Sequence, residues 1–169
     1  MDWAQLARDL GVLDERISGS RVEHGGTQVA RDAIIRMLGE ELLVDAAHHA
    51  IHGVEGSETA RSVLVLLRPR CAMEYAHRVL RESRDVGIKS CAGSVLANIA
   101  DESALSWLEP LLGSAHDAEQ RAGCHLLRNL IWDHDLDVDV SPLIELVRRH
   151  PNTDLWDMLE QAASEYEPP

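Results

Sequence analysis

Phenylalanine is absent from this chain, and tyrosine occurs only twice. A core for 169 residues therefore has to come from Leu, Val, Ile and Ala, with four Trp added. That bias favours helices over strands. Lysine is nearly absent as well: Lys89 is the only one among sixteen basic residues. No apolar run approaches the ~20 residues that a membrane-spanning helix needs. Met1-Asp2-Trp3-Ala4 lacks the basic start and apolar stretch of a signal peptide. Cys71, Cys91 and Cys124 are odd in number and far apart, and their spacing fits no zinc motif. They read as reduced core thiols, and the expected location is the cytoplasm.

Cationic charge is scarce. The formal net charge is -13. Phosphate recognition needs a dense cationic surface, so nucleic acid is not the expected partner. An anionic membrane surface is disfavoured for the same reason. The charge fits a soluble monomer, or a protein whose partner is itself basic. From position 133 onward ten acidic residues, beginning with Asp133, Asp135, Asp137 and Asp139, are opposed only by Arg148 and Arg149.

What is present is a repeat. A small residue is followed by apolar residues three, four and seven places on, which places all four on one helical face. The pattern is Ala30-Ala33-Ile34-Met37, then Ala60-Val63-Leu64-Leu67, Ala92-Val95-Leu96-Ile99 and Gly123-Leu126-Leu127-Leu130. Its last copy, Leu155-Met158-Leu159-Ala162, begins with Leu. First members are 30, 32, 31 and 32 residues apart. Between them lies a second set of stripes: Leu42-Ala46-Ala50, Met73-Ala76-Leu80, Leu105-Leu108-Leu112 and Leu143-Ile144-Val147. Ser57, Asp85 and Asp117 stand where N-caps are wanted, Ser141-Pro142 resembles a cap with a first-turn proline, and Gly39, Gly53 and Gly113 stand at helix ends. Gly11 to Gly26 lacks strong periodicity and reads as containing loop. Each unit is thus a pair of antiparallel helices that cannot bury its apolar face alone, so neighbours must stack.

Signs of catalysis are few. There is no phosphate-binding Gly-Lys-Ser/Thr loop and no Gly-x-Gly-x-x-Gly. Without a nucleophile elbow, His24-Gly25-Gly26 reads as loop rather than oxyanion hole. His48 and His52 could share a face as two zinc ligands do, but no Glu occupies the metalloprotease position and no third ligand is evident. Asp133 to Asp139 alternates carboxylates as a calcium loop does, yet Val138 and Ile144 replace the required Gly and closing Glu. The basic stretch Arg68, Arg70, Arg78, Arg81 and Arg84 is interleaved with Glu74 and Glu82 and reads as a face laced with ion pairs, Arg78 with Glu82 among them.

The segments Asp85-Val86-Gly87-Ile88-Lys89-Ser90-Cys91-Ala92 and Asp117-Ala118-Glu119-Gln120-Arg121-Ala122-Gly123-Cys124 resemble the short HEAT-like repeats of bacterial proteins. In such repeats an Asp opens the inner helix and a basic residue follows within a turn or two, as Lys89 follows Asp85 and Arg121 follows Asp117. The resemblance spans about residues 27 to 165. It departs in period, ~31 against ~40–47 for longer HEAT and armadillo units. Tetratricopeptide and ankyrin signatures are missing. The resemblance implies a curved scaffold, its concave face lined by the second helix of each pair, and implies no activity.

The expected fold is an all-α, right-handed α-α superhelix of about five antiparallel helix pairs. It forms one domain over residues 1–169, with an irregular first helix and loop over 1–26 and regular repeats over about 27–165. The expected function is a protein-interaction module without catalytic, cofactor or metal residues, either an immunity- or antitoxin-type inhibitor or an adaptor with a basic partner. Residues one, two, five or six places past the start of a stripe point away from the core. Arg31, Arg61, Asn98, Arg128, Trp156 and Glu160 are therefore the expected partner contacts, together with Asp133, Asp135, Asp137 and Asp139. The rivals are a nucleic-acid repair enzyme using Arg68–Arg84, a lyase with a bound cofactor, and a structural subunit of a larger complex.

Overall fold

A computed structural model describes residues 22–132 and 138–168. All regular structure among them is helical: α1 (Val22–Leu38), α2 (Glu40–His52), α3 (Ser57–Leu67), α4 (Arg70–Glu82), α5 (Val86–Ile99), α6 (Leu105–Leu112), α7 (Asp117–Trp132), α8 (Ser141–Arg148) and α9 (Asp154–Glu165). A 3-10 turn, Glu102–Ala104, leads into α6. None of these helices is long and apolar enough to cross a membrane.

Helices joined by short links pack side by side: α2 on α3, α4 on α5, α6 on α7, α8 on α9. Packing across so short a link makes each pair antiparallel. The odd-numbered helices also pack in series, α3 on α5, α5 on α7 and α7 on α9, while α2 packs on α4 and α6 on α8.

The repeated stripe explains this series. Ala92, Val95, Leu96 and Ile99 of α5 are buried, as are Gly123, Leu126, Leu127 and Leu130 of α7 and Leu155, Leu159 and Ala162 of α9. Met73, Ala76 and Leu80 fill the space from α4, Leu108 and Leu112 from α6, and Ile144 and Val147 from α8. Small residues decide how closely the odd helices approach: a Cβ on Gly93 would lie 2.7 Å from the Ala122 Cβ. Hydrogen bonds repeat the period. Cys124 Sγ donates to the Leu155 carbonyl at 3.1 Å, and Asn129 Nδ2 to the Ala97 carbonyl at 2.8 Å.

Several expectations need correction. The α1 stripe is largely exposed, with Met37 85% accessible. Among the described residues α1 packs mainly on α2 and α3. In α2 the buried set is Leu43, Ala47, Ala50 and Ile51, whereas Leu42 is exposed. Two overlapping helical spacings were available there, and the one carrying both Leu43 and Ile51 buries more apolar surface. His24-Gly25-Gly26 lies in the first turns of α1 rather than in a loop. Ser57 and Asp117 are the first residues of their helices instead of caps. Asp85 does cap, accepting from the Ile88 N–H at 3.0 Å, and Asp139 accepts from the Ser141 N–H at 2.9 Å. Gly53 is left-handed as expected, but Gly113 has φ -81°. The expected helix at Trp3–Leu10 and Asp133, Asp135 and Asp137 lie outside the described residues.

Burial pushes the Cys124 thiol up to about 11, more than nearby Arg128 and Arg121 pull it down. Since the thiolate is the nucleophile, Cys124 is expected to escape iodoacetamide at pH 8 in the folded protein and to react once urea unfolds it. Intact-mass spectrometry reads the difference, and modification of Cys124 under native conditions would contradict its placement.

Candidate functional site

Counting from the first residue of each stripe, positions two, five, six and nine lie on the opposite side of the helix. On α3 these include the exposed Val65 and Leu66, the latter 61% accessible. On α5 they give Ser94 and Asn98, on α7 His125, Arg128, Asn129 and Trp132, and on α9 Asp157, Glu160 and Gln161. The odd helices pack in series, so these positions form one face that runs across them.

Between α5 and α7 the face sinks into a groove of about 350 Å³. Gly93, Ala97 and Ala122 form its floor, and Asn98, His125 and Arg128 stand among its walls. A second hollow of about 220 Å³ adjoins it, sharing Asn98 and Asn129 and reaching Trp132. The Asn129 amide closes the boundary between them, 3.5 Å from Asn98 Oδ1. The Arg128 guanidinium lies 5.1 Å from the centre of the Trp132 ring, a cation–π arrangement. It has no carboxylate partner among the described residues. Arg121, at the other end of the groove, is fully engaged: it donates to Asp117 at 2.8 Å and to Asp154 of α9 at 2.9 Å. Asp117 and the basic residue that follows it are thus an ion pair, extended to the next odd helix.

Asp85 and Lys89 do not pair in the same way. Lys89 turns inward to Glu119, a carboxylate only 2% accessible. Glu119 accepts from Lys89 Nζ at 2.5 Å, Arg81 Nη1 at 2.7 Å and Ser114 Oγ at 2.8 Å. Arg70 pairs with Glu74 at 2.9 Å, while Arg78 lies over the Tyr75 ring at 5.3 Å rather than on Glu82. The basic stretch is thus partly spent inside the fold.

Two histidines beside these cations have lowered pKa values. For His125 the causes are burial, then Arg128 and Arg121; for His77 they are burial and Arg81, opposed by Glu119. His77 is stacked on Trp107 with ring centroids 4.4 Å apart. The fold therefore prefers neutral imidazoles, whereas the unfolded chain takes up protons at about 6.5. Stability must fall as pH drops below about 6.5, and the decline from this source stops once the lower folded values are passed. Urea midpoints measured at pH 7.5 and 5.5 should differ, and the His77→Gln, His125→Gln double variant should flatten that difference. An equal slope in the variant would assign it to other groups.

The expected contacts do not fall on one surface. Asn98, Arg128 and Glu160 lie on the odd-helix face. Arg61 and Trp156, one place past the stripe start, belong to seams, and Arg31 at the same offset is half-buried. Arg61 donates to the Ala50 carbonyl at 3.2 Å, and half-buried Trp156 is covered by Arg148. Asp139 is held by the Ser141 N–H and the Tyr166 hydroxyl. His125, Asn129, Trp132 and Asp157 were missed, although Trp132, nine places past Gly123, sits diametrically opposite the buried stripe. His48 Nδ1 lies 2.9 Å from the Tyr75 hydroxyl, and His49 Nδ1 lies 2.9 Å from the Asp45 carbonyl. Among the described residues no three His, Cys, Asp or Glu side chains are placed to hold a metal ion.

No family model, curated protein or solved structure matches the chain. Function has to be read from the face itself.

Proposed function

We propose that the chain is a protein-interaction module, a short HEAT-like α-solenoid that holds a segment of another protein across the face of α3, α5, α7 and α9. The observation that supports this most is register. Side chains at equivalent repeat positions, Ser94 and Asn98, His125 and Asn129, Asp157 and Gln161, stand outward on successive packed helices. A groove with a floor of small residues runs between two of those helices. Asn side chains both donate and accept, which suits them to peptide backbone. In this reading the four pairs α2/α3 to α8/α9 are stacked repeats, and α1 is the second helix of a fifth.

The excess of acid favours a partner with basic character and would speed its approach. An immunity- or antitoxin-type inhibitor, or an adaptor, is the role that suits a small acidic module of this kind, with no catalytic step assigned to it. Arg70 and Arg81 are held in ion pairs, which weighs against the nucleic-acid reading.

The test is co-purification from native cytosol with the tagged chain, its Asn98→Ala, Asp157→Lys variant and a Glu74→Ala control on α4. The face variant should lose a protein that wild type and control retain. Equal recovery by all three would reject the face as the binding site, and saturable binding of duplex DNA at moderate salt would reject the reading altogether.

A further inference from the structure

We infer, resting on the interaction reading above, that the bound segment is extended and carries three anchors in fixed order: an apolar residue, an acidic residue and a basic residue. The face changes character along the helix series. On α3 it is apolar, at the exposed Val65 and Leu66. In the α5–α7 groove it is made of hydrogen-bonding groups, with Asn98, His125 and Ser94 among its walls. On α7 it offers a cation, Arg128, over the 37% accessible Trp132. On α9 it offers two exposed anions, Asp157 and Glu160, with no counter-cation among the described residues. The other charges nearby are committed: Arg121 to Asp117 and Asp154, and Arg148 to Glu145 and the Trp156 ring.

Each patch selects by its own chemistry. Arg128 presents a fork of donors that a carboxylate matches, and it lines the α5–α7 groove. Burial, Arg128 and Arg121 all disfavour the charged form of His125, so it adds little competing charge. Asp157 and Glu160 suit a Lys or Arg, and the same pair repels an acid that slides one helix too far. Leu66 and Val65 suit an aliphatic or aromatic side chain.

Helix spacing sets the order and the intervals. Packed helices lie ~8–10 Å apart, and an extended chain advances ~3.3 Å per residue. Arg128 and the α9 acids are one helix step apart, so the acidic and basic anchors should be separated by about three residues. From the α3 patch to Arg128 is two steps, or about five to six residues.

A displayed library of random twelve-residue peptides, selected against the whole chain, tests this without knowledge of the natural partner. Enriched peptides should carry an apolar residue, an acid about five to six positions away and a base about three beyond it, in either chain direction. Selection against Arg128→Glu should replace the acid by a base, and selection against the Asp157→Lys, Glu160→Lys variant should replace the base by an acid. Each variant is used only if its melting temperature matches wild type, with Arg128→Gln as the substitute, against which the acid should simply be lost. Enriched peptides that lack the ordered anchors, or that do not change with the variants, overturn the inference while leaving the interaction reading intact. Failure to enrich any peptide also overturns it, and the co-purification then decides the broader reading on its own.

Discussion

Glu119→Ala is expected to lower the free energy of unfolding by about 3–5 kcal/mol, read from urea denaturation at pH 7. The carboxylate is 2% accessible, and Lys89, itself 8% accessible, reaches it from α5 while Arg81 reaches it from α4. Removing it strands an ammonium in the interior, the costly half of a buried pair. Arg81, nearly half accessible, can turn to water and should contribute little to the loss. Adding Lys89→Met to the alanine variant should therefore recover part of it, because the stranded charge goes too. Burial acts to raise the Glu119 carboxyl. Hydrogen bonds from Lys89 and Ser114 and the charges of Lys89 and Arg81 outweigh it, leaving the group below its ordinary 4.5. A carboxyl lowered by folding stabilises above its unfolded value and loses that contribution as pH falls through the folded one. The wild type should therefore lose stability below about pH 4.5 from this source, and Glu119→Gln should lack that part of the acid limb. A cost below about 1 kcal/mol for Glu119→Ala would mean that water reaches the Lys89 ammonium.

The helical class was legible, and so was the buried side of α5 and α7, because one spacing, 0-3-4-7, recurs there with a small residue at its head. Burial of Ala92, Val95, Leu96 and Ile99 follows directly from it. The outward positions were less legible. Offsets one, two, five and six from the stripe can all face away from it in an isolated helix, but in the packed series the first offset of α5 and of α7 meets the next odd helix. That is why Gly93 and Cys124 are buried at this offset, while Arg61 and Trp156 at the same offset are drawn to the even helices, at Ala50 of α2 and Arg148 of α8. Offset nine was not counted, so Trp132 was missed. Glu119 was unreadable for another reason. Nothing local distinguishes it from a solvated acid in the first turn of a helix, and its partners Lys89 and Arg81 are thirty and thirty-eight residues away. Long-range ion pairing leaves no periodic trace.

Gly93 holds the face together, and its substitution should be the most damaging single change on it. A Cβ there would sit 2.7 Å from the Ala122 Cβ and 3.6 Å from the Ala122 Cα. Two methyl groups need roughly 3.5–4.0 Å, so Gly93→Ala must part α5 and α7 by about 1 Å. Alanine gains about 1 kcal/mol of helix propensity over glycine, and overpacking costs ~1–3 kcal/mol. A net loss of up to about 2 kcal/mol is expected, and Gly93→Leu, which drives three further carbons into the same contact, should cost about 3 kcal/mol or more. The cause can be isolated by moving the methyl across the seam. Ala122→Gly alone loses about 1 kcal/mol of propensity, but in combination with Gly93→Ala it restores one methyl between the helices. The double variant should be more stable than the sum of the single effects by about 1–2 kcal/mol, the signature of residues in direct contact. Additivity within about 0.5 kcal/mol would show that the α5–α7 distance is not set here. The groove walls Asn98 and Arg128 stand on those same two helices, so Gly93→Ala in the Ala122 background should also weaken peptide binding, and the compensating double variant should recover it.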